Sequence, residues 1–160
     1  MANMPKIKSR LIIVAILSVL GIIVSAYSLK AHYSITPSTF CDFNSTFNCD
    51  AVNKSWASEI LGVPVALIGI IGYALILLGS LWLLATQKIA NFTWGAMSLA
   101  SVGGLGFALF LTGVEVFDLH AYCVLCLSSQ ILMLAITVLI WINTEARQGL
   151  CSWFFSSSSS

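Results

Sequence analysis

"LIIVAILSVLGIIVSAYSL", residues 11–29, decides the fold. The run is 19 residues long, carries no charge, and follows Lys6, Lys8 and Arg10. As a helix rising ~1.5 Å per residue it spans ~28 Å, close to the thickness of the bilayer hydrocarbon. The apolar core of a secretory leader is only ~7–15 residues. The run therefore reads as a retained first span.

Composition extends this reading to the whole chain. Of 160 residues, 59% are hydrophobic and 8% charged, against roughly a quarter charged in soluble domains. Too few polar residues remain to build a water-facing shell. The formal net charge is +1 and no basic run is present, which excludes a nucleic-acid surface. Three further apolar runs lie at about 60–85, 92–116 and 122–142. Only helices and closed barrels satisfy every backbone group in lipid, and these runs are far longer than barrel strands. The expected fold is an all-α membrane protein, a four-transmembrane-helix bundle with a large outer loop, 30–59, between helices 1 and 2. Residues 1–10 form a cytoplasmic N-terminal segment, 11–143 the membrane domain, and 144–160 a cytoplasmic tail of disordered composition ending in five serines.

Basic residues set the orientation. With the N-terminus cytoplasmic, Lys6, Lys8, Arg10, Lys88 and Arg147 lie inside and only Lys30 and Lys54 outside. This distribution favours both termini in the cytoplasm of an inner (plasma) membrane protein. Trp82, Trp94 and Trp141 then mark the inner interface, and Tyr27, Tyr33, Trp56 and Tyr122 the outer one. The small residues of the third span, "GAMSLASVGGLGFALFLTG", suit close helix packing.

This topology gathers four of the five cysteines on the outer side. Cys41 and Cys49 lie in the polar loop "CDFNSTFNC", and Cys123 and Cys126 open the fourth span. Disulfides persist in the oxidising outer compartment; Cys151, on the other side, receives no role. Unpaired N–H groups at a helix N-terminus stabilise a thiolate. Three residues of helix place Cys126 about 4.5 Å deeper than Cys123. Cys123 then faces the aqueous side and Cys126 the lipid side, so the pair is suited to pass electrons from a soluble dithiol to a lipid-dissolved carrier. A mobile loop dithiol exchanges with such a pair through mixed disulfides.

The segments "CDFNSTFNCDAVNKS", "GVPVALIGIIGY" and "VEVFDLHAYCVLC" resemble the vitamin K epoxide reductase family, most closely its bacterial members, over about residues 11–142. The resemblance implies that Cys41 and Cys49 are the loop shuttle pair, that Cys49 attacks Cys123, and that Cys126 faces the quinone. It implies a quinone site near Ser55 and a lid from Trp56 to Leu61. On position alone, Gln130, four residues beyond Cys126 on the fourth helix, is a candidate quinone contact with a helix–helix contact as its equal alternative, and Tyr122 is a further candidate contact. The resemblance also implies an electron acceptor of the ubiquinone, menaquinone or phylloquinone kind, and a thioredoxin-like dithiol protein as partner on the periplasmic side. With only residues 143–160 after the last span, no fused thioredoxin-like domain is expected, and the partner is expected to be a separate protein. Gln130 stands where the vertebrate enzymes carry an aromatic hydroxyl. Val65 or a near neighbour stands where they carry a hydrogen-bonding amide. Both differences favour simple quinone reduction over epoxide reduction.

Other readings of the same residues are a quinone-epoxide reductase proper and a non-enzymatic four-span scaffold with structural disulfides. A zinc site is disfavoured because seven residues separate Cys41 from Cys49, wider than usual ligand spacing. The quinone-linked oxidase that carries Cys-x-x-Cys in its first outer loop is disfavoured because here that motif opens the fourth helix. His120, three residues before Cys123, reads as an interfacial side chain, with thiolate support as its functional alternative. Glu115 is a candidate proton donor to the quinone.

Overall fold

The computed structural model describes residues 4–34, 49–55, 58–60, 62–86, 91–119 and 123–142. Among them, four helices are long and apolar enough to cross a membrane: Ile7–Tyr33, Val65–Thr86, Phe92–Asp118 and Val124–Trp141. The all-α four-span bundle anticipated from the sequence is what forms.

Helix α1, Met4–Tyr33, extends beyond its apolar run at both ends. Pro5 sits in the first turn, where its missing N–H leaves no bond unmade. At the other end Ser34 N–H donates to Lys30 O at 3.0 Å. One face of α1 is buried at alternating steps of four and three: Ile7, Leu11, Val14, Ser18, Gly21, Ser25 and Ser28. This spacing keeps a single seam turned inward. Its apolar members come first and its small or polar members last.

A short helix α2, Cys49–Asn53, follows. A two-residue hairpin then pairs β1, Glu59–Ile60, antiparallel with β2, Val63–Pro64. Gly62 makes the turn at φ +78°, a left-handed conformation that favours glycine. The second span thus begins at Val65 rather than residue 60, because Pro64 holds the residue before it extended. It is α3, Val65–Thr86. Helix α4, Asn91–Val114, continues into a π-helical turn, Glu115–Leu119. Helix α5 runs Val124–Trp141, two residues inside the expected start, with Cys123 as its N-cap.

The helices form a ring in which α1 and α4 each pack between α3 and α5. Its solid core lies at the end where α1 begins. There Ile7, Leu11 and Val14 meet Leu83 of α3, Trp94 and Met97 of α4, and Ile136 and Ile140 of α5. Trp94 is 3% exposed, so it belongs to this core and not to the interfacial belt expected for it. Its neighbours in space are the inward-facing ends of the other helices. Trp82 and Trp141 remain exposed. Gly21 admits the Tyr73 ring, since a Cβ there would overlap Tyr73 Cε1. The Tyr73 hydroxyl donates to Ser129 O at 2.7 Å and ties α3 to α5.

Candidate active site

Beyond Tyr73 the inward faces become small. Ser25 and Ser28 of α1, Gly69 and Gly72 of α3, and Ala100, Gly103, Gly104 and Ala108 of α4 surround a cavity of about 370 Å³. The small residues of α4 therefore do more than allow close packing, because they also leave this space open. Its volume falls in the range of small-molecule sites. The walls are mostly apolar, with Cys126, Glu115, Asn53, His32, Ser58 and Thr112 as polar exceptions.

Cys126 is set at the cavity wall by the opening turn of α5. Cys123 precedes that turn in extended conformation (φ −99°, ψ 111°). Its sulfur accepts the Cys126 N–H at 3.3 Å. The sulfur thus occupies the place where a helix start offers unpaired N–H groups. Both Cys123 and Cys126 are free thiols.

The π-helical turn before this point widens the backbone and turns Glu115 inward, to 2% exposure. Its Oε2 accepts the Cys123 N–H at 3.2 Å, and its carboxyl also interacts with the Cys126 side chain. Asp118, on the same turn, is exposed.

Cys49 opens α2 and is disulfide-bonded; its partner sulfur lies outside the described residues. Cys49 and Cys123 are both fully buried, in one cluster with Val52, against which Leu125 and Cys126 pack. Cys123 is therefore covered by α2 and not open to the aqueous side. A helix dropped onto the bundle mouth supplies the cover that the apolar pattern does not encode.

The lid helix is held by its last residue. Ser28 Oγ donates to Asn53 Oδ1 at 2.9 Å, and the His32 ring Nδ1 meets Asn53 O. On its other side His32 Nε2 meets Glu59 Oε1 at 3.1 Å. Ser58, before the hairpin, donates to Ser55 O at 2.7 Å, and it lines the cavity together with Pro64.

The remaining sequence-derived positions fall as follows. Cys41, Trp56, Leu61, His120, Tyr122 and Cys151 lie outside the described residues. Ser55 Oγ donates to Val52 O at 2.7 Å and is not in the cavity wall. Gln130 Oε1 accepts from Thr112 Oγ1 at 2.9 Å, and of these two Thr112 lines the cavity.

Asn53 and His32 were missed. Their signals were faint but present. Asn53 stands one turn after Cys49, and His32 continues the inward seam of α1, four residues after Ser28.

With this geometry in hand, a comparison against protein-family models matches residues 12–141 to one described as the vitamin K epoxide reductase family.

Proposed function

The chain belongs to the vitamin K epoxide reductase family and is accordingly a quinone-linked thiol–disulfide oxidoreductase of the membrane; from that premise we propose that it carries electrons from an outside thioredoxin-like dithiol protein, through Cys41/Cys49 and Cys123/Cys126, to a membrane quinone. Disulfide formation in the partner is the product of this traffic.

The observation that carries the proposal is the continuity of sulfur from lid to cavity. Cys49 and Cys123 share one buried cluster, and Cys126, three residues on, stands in the wall of the cavity. No long-range motion is needed to bring a Cys49 thiolate against Cys123.

The steps balance in atoms and electrons. The partner's two thiols reduce the Cys41–Cys49 disulfide, leaving a disulfide in the partner and two thiols in the loop. The Cys49 thiolate attacks Cys123 of an oxidised Cys123–Cys126 pair, forming a Cys49–Cys123 disulfide and releasing Cys126 as thiolate. Cys41 then attacks Cys49, releasing Cys123 and restoring the loop disulfide. The reduced Cys123–Cys126 pair gives two electrons and two protons to the quinone and returns to the disulfide. Cys49 bonded with Cys123 and Cys126 both free matches the stage just before this last transfer. Glu115, buried beside both members of the helix pair, relays a proton from the Cys126 thiol towards a quinone oxygen.

The cavity fits the acceptor. It is mostly apolar, suits a planar ring, and places a thiol at its wall. The site faces the outer side of the membrane, by the distribution of Lys and Arg.

The test is quinone absorbance during turnover of purified protein with a reduced thioredoxin-like protein, alongside the four single Cys→Ser variants. Loss of quinone reduction in all four supports the relay. Retention of full turnover in Cys49→Ser or Cys126→Ser would overturn it. Parallel assays with quinone epoxide separate the two substrate classes.

A further inference from the structure

Asn53 carries a polar group that nothing in the relay uses. The residue is 6% exposed, ends the lid helix and lines the cavity that Cys126 lines. Its acceptor groups are engaged. Oδ1 takes the Ser28 hydroxyl at 2.9 Å, and the backbone carbonyl meets the His32 ring. Its side-chain amide Nδ2 is buried and has no hydrogen-bond partner among the described residues.

A buried donor left unpaired is unfavourable, and such groups are rare in folded proteins. Here the neighbours make it persistent. With Ser28 holding the oxygen, the amide cannot turn its N–H groups to that hydroxyl without placing the oxygen where no donor waits. Three hydroxyls of the cavity differ. The hydroxyls of Ser28, Ser58 and Thr112 each already donate to a protein oxygen. Asn53 Nδ2 is a buried donor without a partner among the described residues, on a residue of this mostly apolar wall.

We propose that Asn53 Nδ2 donates a hydrogen bond to a carbonyl oxygen of the bound quinone and thereby fixes the ring against Cys126. This rests on the quinone reading given above and adds to it the residue that orients the substrate. A quinone offers what the site lacks, an acceptor oxygen on a flat apolar body. As the ring accepts electrons, negative charge gathers on that oxygen. A preorganised donor in a dry site then binds it more tightly than in the ground state. Because Asn53 is anchored to α1 by Ser28 and His32, the same bond ties lid closure to occupancy of the cavity.

The experiment follows a para-benzoquinone with a short chain, isotopically labelled at one carbonyl, by infrared difference spectroscopy and steady-state kinetics. Bound to the wild-type protein, the labelled carbonyl band is expected to move to lower frequency than in detergent alone. In Asn53→Leu, close in shape but without the donor, the shift is lost. The KM for the quinone then rises about tenfold, the effect of one modest hydrogen bond; the variant also loses the Ser28 bond, so its unfolding temperature is recorded beside the KM. Asn53→Asp keeps the oxygen facing Ser28 and removes the donor, so it carries the comparison if the leucine variant does not fold. An unshifted band in the wild-type protein overturns the inference by itself. So does an unchanged band and KM in either folded variant. Failure of the wild-type protein to reduce any quinone would instead sink the quinone reading, an outcome the binding spectra keep separate.

Discussion

The Glu115 carboxylate accepts the backbone N–H of Cys123 at 3.2 Å, across the break between the π-helical turn and α5. A carboxyl group at that point joins two functions that are usually apart. It caps the residue preceding a helix, and it places an ionisable group against a redox pair in the membrane interior.

The two functions separate by substitution. Glu115→Gln keeps an oxygen for the Cys123 N–H and removes the transferable proton. Its quinone-dependent kcat is expected to fall about a hundredfold, the lower range for loss of a general acid–base group. Exchange between Cys49 and Cys123, followed by thiol labelling, should continue. A kcat equal to wild type in a stopped-flow absorbance assay would leave Glu115 as a cap alone.

Cys126→Ser removes the sulfur at the cavity and, with it, the thiol that resolves an attack on Cys123. In the protein isolated without added reductant, the free Cys123 thiolate should then attack Cys49 of the loop disulfide and release Cys41 as a thiol, so that the Cys49–Cys123 disulfide accumulates, because the two sulfurs share one buried cluster. Mass spectrometry of non-reduced peptides would detect the cross-link. Finding only a loop disulfide would mean that electrons enter the helix pair elsewhere.

Two glycines should respond in opposite ways to alanine. A methyl group at Gly21 would overlap the Tyr73 ring, whereas one at Gly72 would meet nothing within 4 Å. Gly21→Ala is expected to lose about 1–3 kcal/mol through overpacking. Gly72→Ala should be neutral or gain up to ~1 kcal/mol from helix propensity. Thermal unfolding in one detergent, with both variants side by side, measures the contrast.

Gly103 lines the cavity and also has open space at its Cβ position. Gly103→Leu should fill that space without harming the fold. The expected result is an unfolding temperature equal to or above wild type, with KM for the quinone raised tenfold or more. An unaffected KM would move the substrate to a different surface.

Much of this was legible in the sequence, for stated reasons. Apolar runs such as 11–29 report directly on spans, because lipid demands them over a fixed length. The Cys123/Cys126 spacing was less telling, because Cys123 caps α5 in extended conformation and lies buried with Cys49 and Val52, so helical rise alone does not describe the pair. Span ends were less legible. Ile60 is as apolar as Val65, yet Gly62 and Pro64 turn the chain into a hairpin between them. The interior was hardest. Trp94 looks like an interfacial anchor until the other helices are packed round it. Gln130 is paired to Thr112 on another helix, and Asn53 gains meaning only when α2 is seated on the bundle. Each of these depends on contacts between segments distant in the chain, which neither hydropathy nor spacing records.

Cys123 has no exposed surface beneath α2. The consequence is insulation. Small thiols dissolved in the surroundings have no direct route to the sulfur that feeds the cavity, so a stray reductant cannot drain the quinone pool through it. Current reaches the inner pair through Cys49, and the same short helix that delivers it also guards against the leak.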